Sequence, residues 1–270
     1  MHLSPAMVGT NMDLGIAGRL ALVCASSQGL GLACARALGN EGVTVVLNGR
    51  NPEKLAAAVE ALRADTGGTI SGIAADVTTS QGRRDLLAAI PEPDILVNNN
   101  AGPKPGDFAT FDEDTWAEAL AANMIAPLQL VRAVMPAMRE RRFGRIVNIT
   151  SAMVTTPRPH MTLSAGARAG LTGVMKGLSL EVARDNVTIN NLLPERIDTD
   201  RQHQMAKVAM VRENIDYDEA RRRQVQSIAA KRLGEPGEFG AVCAFLCSAL
   251  AGFVSGQNIH VDGGSYPALI

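Results

Sequence analysis

Short apolar runs recur along the chain with longer, mixed stretches between them. Residues 19–24, 43–48, 70–75, 94–98, 145–150, 187–193 and 258–261 read as seven β-strands. Several of these runs are Val, Ile or Leu through most of their length, without polar alternation. That is the pattern of strands covered on both faces. The stretches between them have helical character and enough length for crossover helices. The pattern therefore predicts an α/β fold, a doubly wound parallel sheet of seven strands with helices on both faces. No Pro/Gly/Ser-rich linker and no internal repeat interrupts the series. A single domain over residues 13–270 is expected, preceded by an amino-terminal extension, residues 1–12.

One segment breaks the rhythm. Residues 200–232 carry thirteen charged side chains, including the run Arg221, Arg222 and Arg223, between the sixth strand and the last helix. Two readings stay open for it: a solvated helical surface without chemistry, or a lid over a pocket that takes an anionic small-molecule substrate.

Composition narrows the function classes. A chain of 270 residues, 46% hydrophobic and 20% charged, can bury a core without disulfides and is not a disordered polymer. Its net charge of −1 lacks the basic surplus that nucleic-acid binding demands. No run of eighteen apolar residues and no basic start followed by an apolar stretch are found, so neither a membrane span nor a secretion signal is expected. Cys24, Cys34, Cys243 and Cys247 form no CxxC pair and have no His at metal-ligand spacing. They read as reduced, buried thiols in a cytoplasmic protein with no metal site.

Candidate chemistry begins after the first strand, at Cys24-Ala25-Ser26-Ser27-Gln28-Gly29-Leu30-Gly31, which runs into an Ala/Leu-rich helix. Glycines at a strand-to-helix turn let the backbone approach a pyrophosphate, which the helix's free N–H groups and positive dipole end then meet. Three further segments follow in order: Asp76-Val77, Asn99-Asn100-Ala101-Gly102, and Ser255-Gly256-Gln257 with Val261-Asp262-Gly263-Gly264. With these the chain from Gly18 to Gly264 resembles the short-chain dehydrogenase/reductase family, 3-oxoacyl reductases in particular. The resemblance implies a Rossmann-type sheet. It also implies cofactor contacts from Ser27, Gly29, Leu30, Gly31, Asp76, Val77, Asn100, Ala101, Gly102 and Thr199.

Which nicotinamide cofactor is expected follows from the end of the second strand. An NAD enzyme carries a carboxylate there for the ribose hydroxyls. This chain has Asn48-Gly49-Arg50-Asn51 instead. A guanidinium can meet a 2′-phosphate with two charge-assisted hydrogen bonds, so Arg50 favours NADP(H) over NAD(H). The plainer alternative is an exposed loop arginine.

The catalytic positions depart from the family. Its carbonyl reductases and alcohol dehydrogenases resemble one another in a Ser, a YxxxK pair and a helix Asn. By that resemblance Ser151 occupies the Ser position and Asn123 the Asn position. Where Tyr and Lys belong stand Ser164 and Arg168, within Ser164-Ala165-Gly166-Ala167-Arg168-Ala169-Gly170, which keeps the small residues of the family's helix. The only tyrosines, Tyr217 and Tyr266, have Arg221 and Ile270 four residues on, so no YxxxK exists elsewhere. Arg168 keeps a positive charge that can hold the nicotinamide ribose, but it titrates too high to share protons. Ser164 is shorter than a phenol and a much weaker acid. His160 and Glu195 are the candidates for moving the proton instead, Glu195 also as a partner for Arg168. Two more departures adjoin the site. Glu195 stands where the family has glycine after Pro194, and Ala25 replaces the first glycine of the turn, where positive φ costs Ala.

Three readings follow. The first is an NADP-dependent oxidoreductase acting on a carbonyl/alcohol pair with an atypical proton donor. The second is a non-redox lyase or isomerase on the same scaffold, with Arg168 on a developing oxyanion. The third is a catalytically silent nucleotide-binding subunit. Relatives pair through the helices flanking the fifth strand. A homodimer or homotetramer is therefore expected, with Ala165, Gly166, Ala167, Ala169, Gly170 and Gly173 permitting close helix contact.

Overall fold

The computed structural model describes residues 12–90 and 92–269. All but Met12 of the amino-terminal extension lies outside the described residues. The seven expected strands form, each within a residue of its sequence boundaries: β1 (Leu20–Val23), β2 (Thr44–Gly49), β3 (Ile70–Ala74), β4 (Ile95–Asn98), β5 (Gly144–Ile149), β6 (Val187–Pro194) and β7 (Asn258–Val261). They make one sheet in the order β3-β2-β1-β4-β5-β6-β7, and every neighbouring pair is parallel. The direction of winding reverses between β1 and β4, and a crevice opens there at the carboxyl ends of the strands, where ligands bind such sheets.

Helices cover both faces. The helices are α1 (Gly29–Asn40), α2 (Pro52–Thr66), α3 (Ser80–Ala89), α4 (Glu113–Leu120), α5 (Ala126–Glu140), α6 (Thr162–Val182), α7 (Asp200–Glu213), α8 (Tyr217–Gln226) and α9 (Pro236–Cys247). On one face Cys34 and Leu38 of α1, Leu55 and Leu62 of α2 and Phe239 and Cys243 of α9 pack on Val45, Leu47, Ile95 and Val147. On the other, Leu86 of α3, Leu130, Val134 and Met138 of α5, and Leu171 and Met175 of α6 pack on Leu22, Leu96, Ile146 and Ile189. Alternate residues of each strand thus feed two apolar layers, which explains why the strands read as continuous apolar runs. The helical stretch Glu113–Glu140 is long and apolar enough to span a bilayer, yet it lays this inner face on the sheet. All four cysteines are free and buried, as expected, and burial pushes the Cys24 thiol up to about 12.

Two devices shape the floor of the crevice. Between α4 and α5 the helix widens into a π turn, Ala121–Ile125, in which Ala126 N–H donates to Ala121 O. Pro127 follows and has no N–H to give the carbonyl four residues back, so the wider turn costs little there. The turn carries Asn123. Across the sheet, Asn98 Nδ2 donates to Asn148 Oδ1 at 2.9 Å, Asn148 Nδ2 to Asn191 Oδ1 at 3.0 Å, and Asn191 Nδ2 to Asn258 Oδ1 at 2.9 Å. These residues pair in register, so four strands are tied by side chains as well as by backbone. Each such buried bond contributes about 1 kcal/mol net.

The small residues of α6 are largely used inside the chain. A Cβ on Gly166 would stand 3.2 Å from Trp116, and one on Gly170 would stand 2.9 Å from Met124 Sδ. Ala167 is fully buried. Of the glycines expected to permit helix contact between subunits, Gly173 has open space beside it, with Val174 exposed next to it on α6 and Ile125 exposed on the π turn.

Candidate active site

The crevice is a cleft of about 740 Å³, lined by the loops after β1, β2, β4, β5 and β6 and by α7. Its size is that of a small-molecule site. A groove of about 720 Å³ also runs between α1 and α9, lined mostly by apolar side chains; its Arg36 is tied to Asp65 at 2.6 Å.

At one end of the cleft the glycine turn forms a cradle. Ala25 adopts φ of +44°, the strained conformation expected of a residue standing where glycine is favoured. Asn99 Nδ2 donates to Ala25 O at 3.0 Å and holds it. Gly29 has φ of +61°, with open space where a Cβ would sit, and it begins α1. Gly31 has another role: a Cβ there would stand 2.6 Å from Ala25 O, so this glycine lets turn and helix pack and does not line the cleft. Ser27, Gly29 and Leu30 do line it. Behind them Ser26 Oγ donates to Val23 O at 2.7 Å and accepts from Asn48 N at 3.1 Å. Asn48 Nδ2 in turn donates to Ala75 O at 3.0 Å, fixing the ends of β1, β2 and the chain after β3 together.

Arg50 follows β2, with its side chain 70% exposed and 4.0 Å from Asp76. Asp76 accepts from Thr78 N at 2.9 Å and Thr78 Oγ1 at 2.7 Å. Arg50, Asp76, Val77, Asn100, Ala101, Gly102 and Thr199 all line the cleft, as does Lys54 from the first turn of α2. Lys54 was not foreseen in the sequence. An open glycine cradle on a helix amino end, with an exposed guanidinium beyond it, fits a dinucleotide phosphate chain.

At the other end stand the candidate catalytic residues. Ser151 follows β5, and its Oγ accepts from Met153 N at 3.2 Å. Ser164 and Arg168 lie one turn apart on α6, 1% and 8% exposed, and Arg168 Nη1 donates to Ser164 Oγ at 2.9 Å. Among the described residues Arg168 has no carboxylate partner; its remaining bond is to Asn100 O at 3.5 Å. Burial, and then the nearby Arg201 cation, push the Arg168 guanidinium down to about 10. His160 lies in a short turn, Pro159–Met161, on the cleft wall.

Glu195 is placed differently from the expectation that it pairs with Arg168. Its Oε1 lies 3.2 Å from Arg158 Nη2 and 3.3 Å from Arg196 Nε. Arg196 follows it in the chain and Arg158 comes from the neighbouring β5 loop, so both reach it first. Asn123 sits beneath the cleft, where it lines a small cavity with Asn98, Asn100 and Arg168. The Oδ1 atoms of Asn98 and Asn123 are buried there without hydrogen-bond partners. The cavity's room of about 20 Å³ matches one water molecule, which would satisfy both.

The segment expected as a lid is a helical pair. Met205, Val208 and Ala209 of α7 wall the cleft, and α7 is clasped to α8 by His203 Nδ1 and Tyr217 Oη at 2.6 Å. Tyr266 stacks on the His260 ring. Neither tyrosine lines the cleft.

A doubly wound sheet with a dinucleotide cradle at its switch point, and polar groups converging beside it, defines the nucleotide-dependent enzymes built on a Rossmann-type fold. The comparisons narrow the class. The family model described as Enoyl-(Acyl carrier protein) reductase matches residues 24–266. The 3-oxoacyl-[acyl-carrier-protein] reductase of Haemophilus influenzae is 33% identical over 253 residues, covering 92% of this chain and 98% of that protein. The NADPH-dependent reductase BacG of Bacillus subtilis is 29% identical over 256 residues, covering 93% and 99%. The crystal structure of L-sorbose reductase from Gluconobacter frateurii, complexed with NADPH and L-sorbose, superposes with a TM-score of 0.89 at 28% identity, covering 96% of this chain and all of that one. This chain belongs to the short-chain dehydrogenase/reductase family, and its relatives are oxidoreductases.

Proposed function

We propose that this protein is an NADP(H)-dependent oxidoreductase that acts on a carbonyl/alcohol pair, with Ser164 and Arg168 in place of the family's Tyr and Lys. The observation that carries it is the pairing of an open glycine cradle and Arg50 at one end of the cleft with the buried Ser164–Arg168 bond at the other. The relatives named as NADPH-dependent, or solved with NADPH, support the choice of cofactor. When bound, NADP(H) supplies or takes a hydride. Ser27, Gly29 and Leu30 would hold its pyrophosphate, Arg50 its 2′-phosphate, and Asn100, Ala101, Gly102 and Thr199 the nicotinamide half.

The chain's own residues then handle the substrate oxygen. Ser164 Oγ accepts a bond from a cation, which polarises its O–H and leaves that hydrogen free to donate into the cleft. Ser151 Oγ, accepting from Met153 N, is likewise free to donate. Arg168, buried and without a counter-anion, favours negative charge on an oxygen held by these hydroxyls. The proton itself comes from His160 or from water, because no phenol lines the cleft. The substrate is a small molecule, and the cations of the cleft favour an anionic one. Four free, buried cysteines support a cytoplasmic location, and the open Gly173 beside exposed Val174 on α6 supports assembly as a homodimer or homotetramer.

The test is loss of NADPH absorbance on addition of ketones and 3-oxoacyl thioesters. Turnover of at least one class is expected, and silence across the panel would overturn the reading. A non-redox lyase or isomerase is the second reading, favoured by the missing phenol. Substrate turnover with nicotinamide absorbance unchanged would select it.

A further inference from the structure

The cleft is far more cationic than the chain that forms it. The whole sequence carries a net charge of −1, yet Arg158, Arg168, Arg196 and Arg201 all line the cleft's inner end. Besides Asp76 at the cradle end, the carboxylates that line the cleft are Glu195, 12% exposed, Asp200, exposed at the amino end of α7, and Glu213 at the carboxyl end of α7, paired with Arg212 and Arg223. Asp198 nearby is committed to Arg221 at 2.7 Å and does not line the cleft.

These guanidiniums are poorly satisfied. Arg158 and Arg196 share one oxygen of Glu195. Arg196 Nε, although 3.3 Å from that oxygen, is not aimed at it and stays a buried donor without a hydrogen bond. Arg196 Nη1 makes a long bond to Gln202 Oε1 at 3.4 Å, and among the described residues Arg201 makes one bond, to Pro103 O at 3.4 Å. Arg168 is buried and Arg158 and Arg196 are half-buried, with Arg201 exposed at the rim; buried or half-buried cations without matching anions cost free energy unless a ligand completes them.

Arg196 is also held under strain. Its φ of +57° is unfavourable for a side chain with a Cβ. The conformation is fixed by Gly234 N, which donates to Arg196 O at 3.1 Å, and by the bridge between Ile197 and Gly234. Strain of this kind persists where the surroundings enforce a functional position.

The cofactor's 2′-phosphate is not the missing anion. Arg50 follows β2, whereas Arg158 and Arg196 follow β5 and β6, three and four strands away in the sheet order. At about 4.8 Å per strand that is roughly 14–19 Å, with the glycine cradle on β1 between them.

We propose that the inner end of the cleft is a carboxylate subsite, in which Arg158 and Arg196, with Arg201 at the amino end of α7, hold the acidic group of the substrate. Glu195 is the internal carboxylate with which that group competes. Beside it Met153, Met161, Met205 and Val208 line the cleft, so the substrate class is an oxo acid with an apolar body, its carbonyl facing Ser151, Ser164 and Arg168. This rests on the oxidoreductase reading for the site of the carbonyl, but not for the binding of the acid.

The probe is 4-phenyl-2-oxobutanoate against its ethyl ester, titrated calorimetrically into NADP⁺-loaded protein, in which hydride transfer to the oxo acid cannot occur. The acid is expected to bind at least about tenfold tighter than the ester, with an advantage that shrinks as salt is raised. Arg158→Gln and Arg196→Gln should erase that advantage while leaving ester binding unchanged. Glu195→Gln should increase it, and this variant keeps the test decisive if an arginine variant fails to fold. Equal affinities, no measurable binding of the acid, or weaker acid binding in Glu195→Gln would overturn the subsite. Acid binding without NADPH oxidation by any carbonyl would sink the redox reading and leave the subsite standing.

Discussion

The two ends of the cleft are built on different terms. At the cradle end the buried polar groups are answered: Ser26, Asn48 and Asn99 close a network that ties the turn after β1 to the ends of β2, β3 and β4, and Ala25 is its strained residue. At the inner end cations outnumber carboxylates, Arg168 lies buried on a hydroxyl and a carbonyl, and two asparagine oxygens face a water-sized cavity. Closed hydrogen bonding gives the rigidity a fixed ligand needs. Unsatisfied charge is tolerated where a ligand satisfies it, which is the role proposed above for the inner end.

The largest effect expected from breaking this contrast is at Arg168. Arg168→Gln should lower kcat by roughly 10²–10³-fold, as removal of an oxyanion donor does. The dissociation constant for NADPH should rise by less than about tenfold, the cost of a lost hydrogen bond or two. Steady-state kinetics set against an equilibrium titration would check this, and equal losses in both would move Arg168 to the cofactor end. A smaller effect tests the cradle's irregularity. Ala25→Gly relieves the positive φ but loosens the unfolded chain, so the net gain should be about 0.5–1 kcal/mol. In a chain of this size that is a rise in Tm of roughly 2 °C in a thermal melt.

The cradle end was legible in the sequence because its parts are local. The glycine turn, Arg50 and the run from Asn99 to Gly102 each sit within a few residues of a strand end that the apolar pattern already located. Ala25 could be foreseen as strained from its place in the turn alone. The inner end was not legible in the same way. Arg158 follows β5 while Arg196 and Arg201 follow β6, and only the pairing of these two strands brings them to one side of the cleft. Glu195 could be singled out, but not its partner Arg158, which reaches it only because β5 and β6 are neighbours. The asparagine ladder from Asn98 to Asn258 needed the strand register before it could be seen. Gly166 and Gly170 looked free for a neighbouring subunit until the positions of Trp116 and Met124 were known.

The measurement that bears most directly on the account is an equilibrium titration with NADPH and NADH, run side by side on the wild-type chain and on Arg50→Asp. The wild type is expected to prefer NADPH by roughly tenfold or more, through the charge-assisted contact to the 2′-phosphate, and the variant to lose or invert this preference. A chain that binds neither nucleotide, or a variant that keeps the wild-type preference, would contradict it.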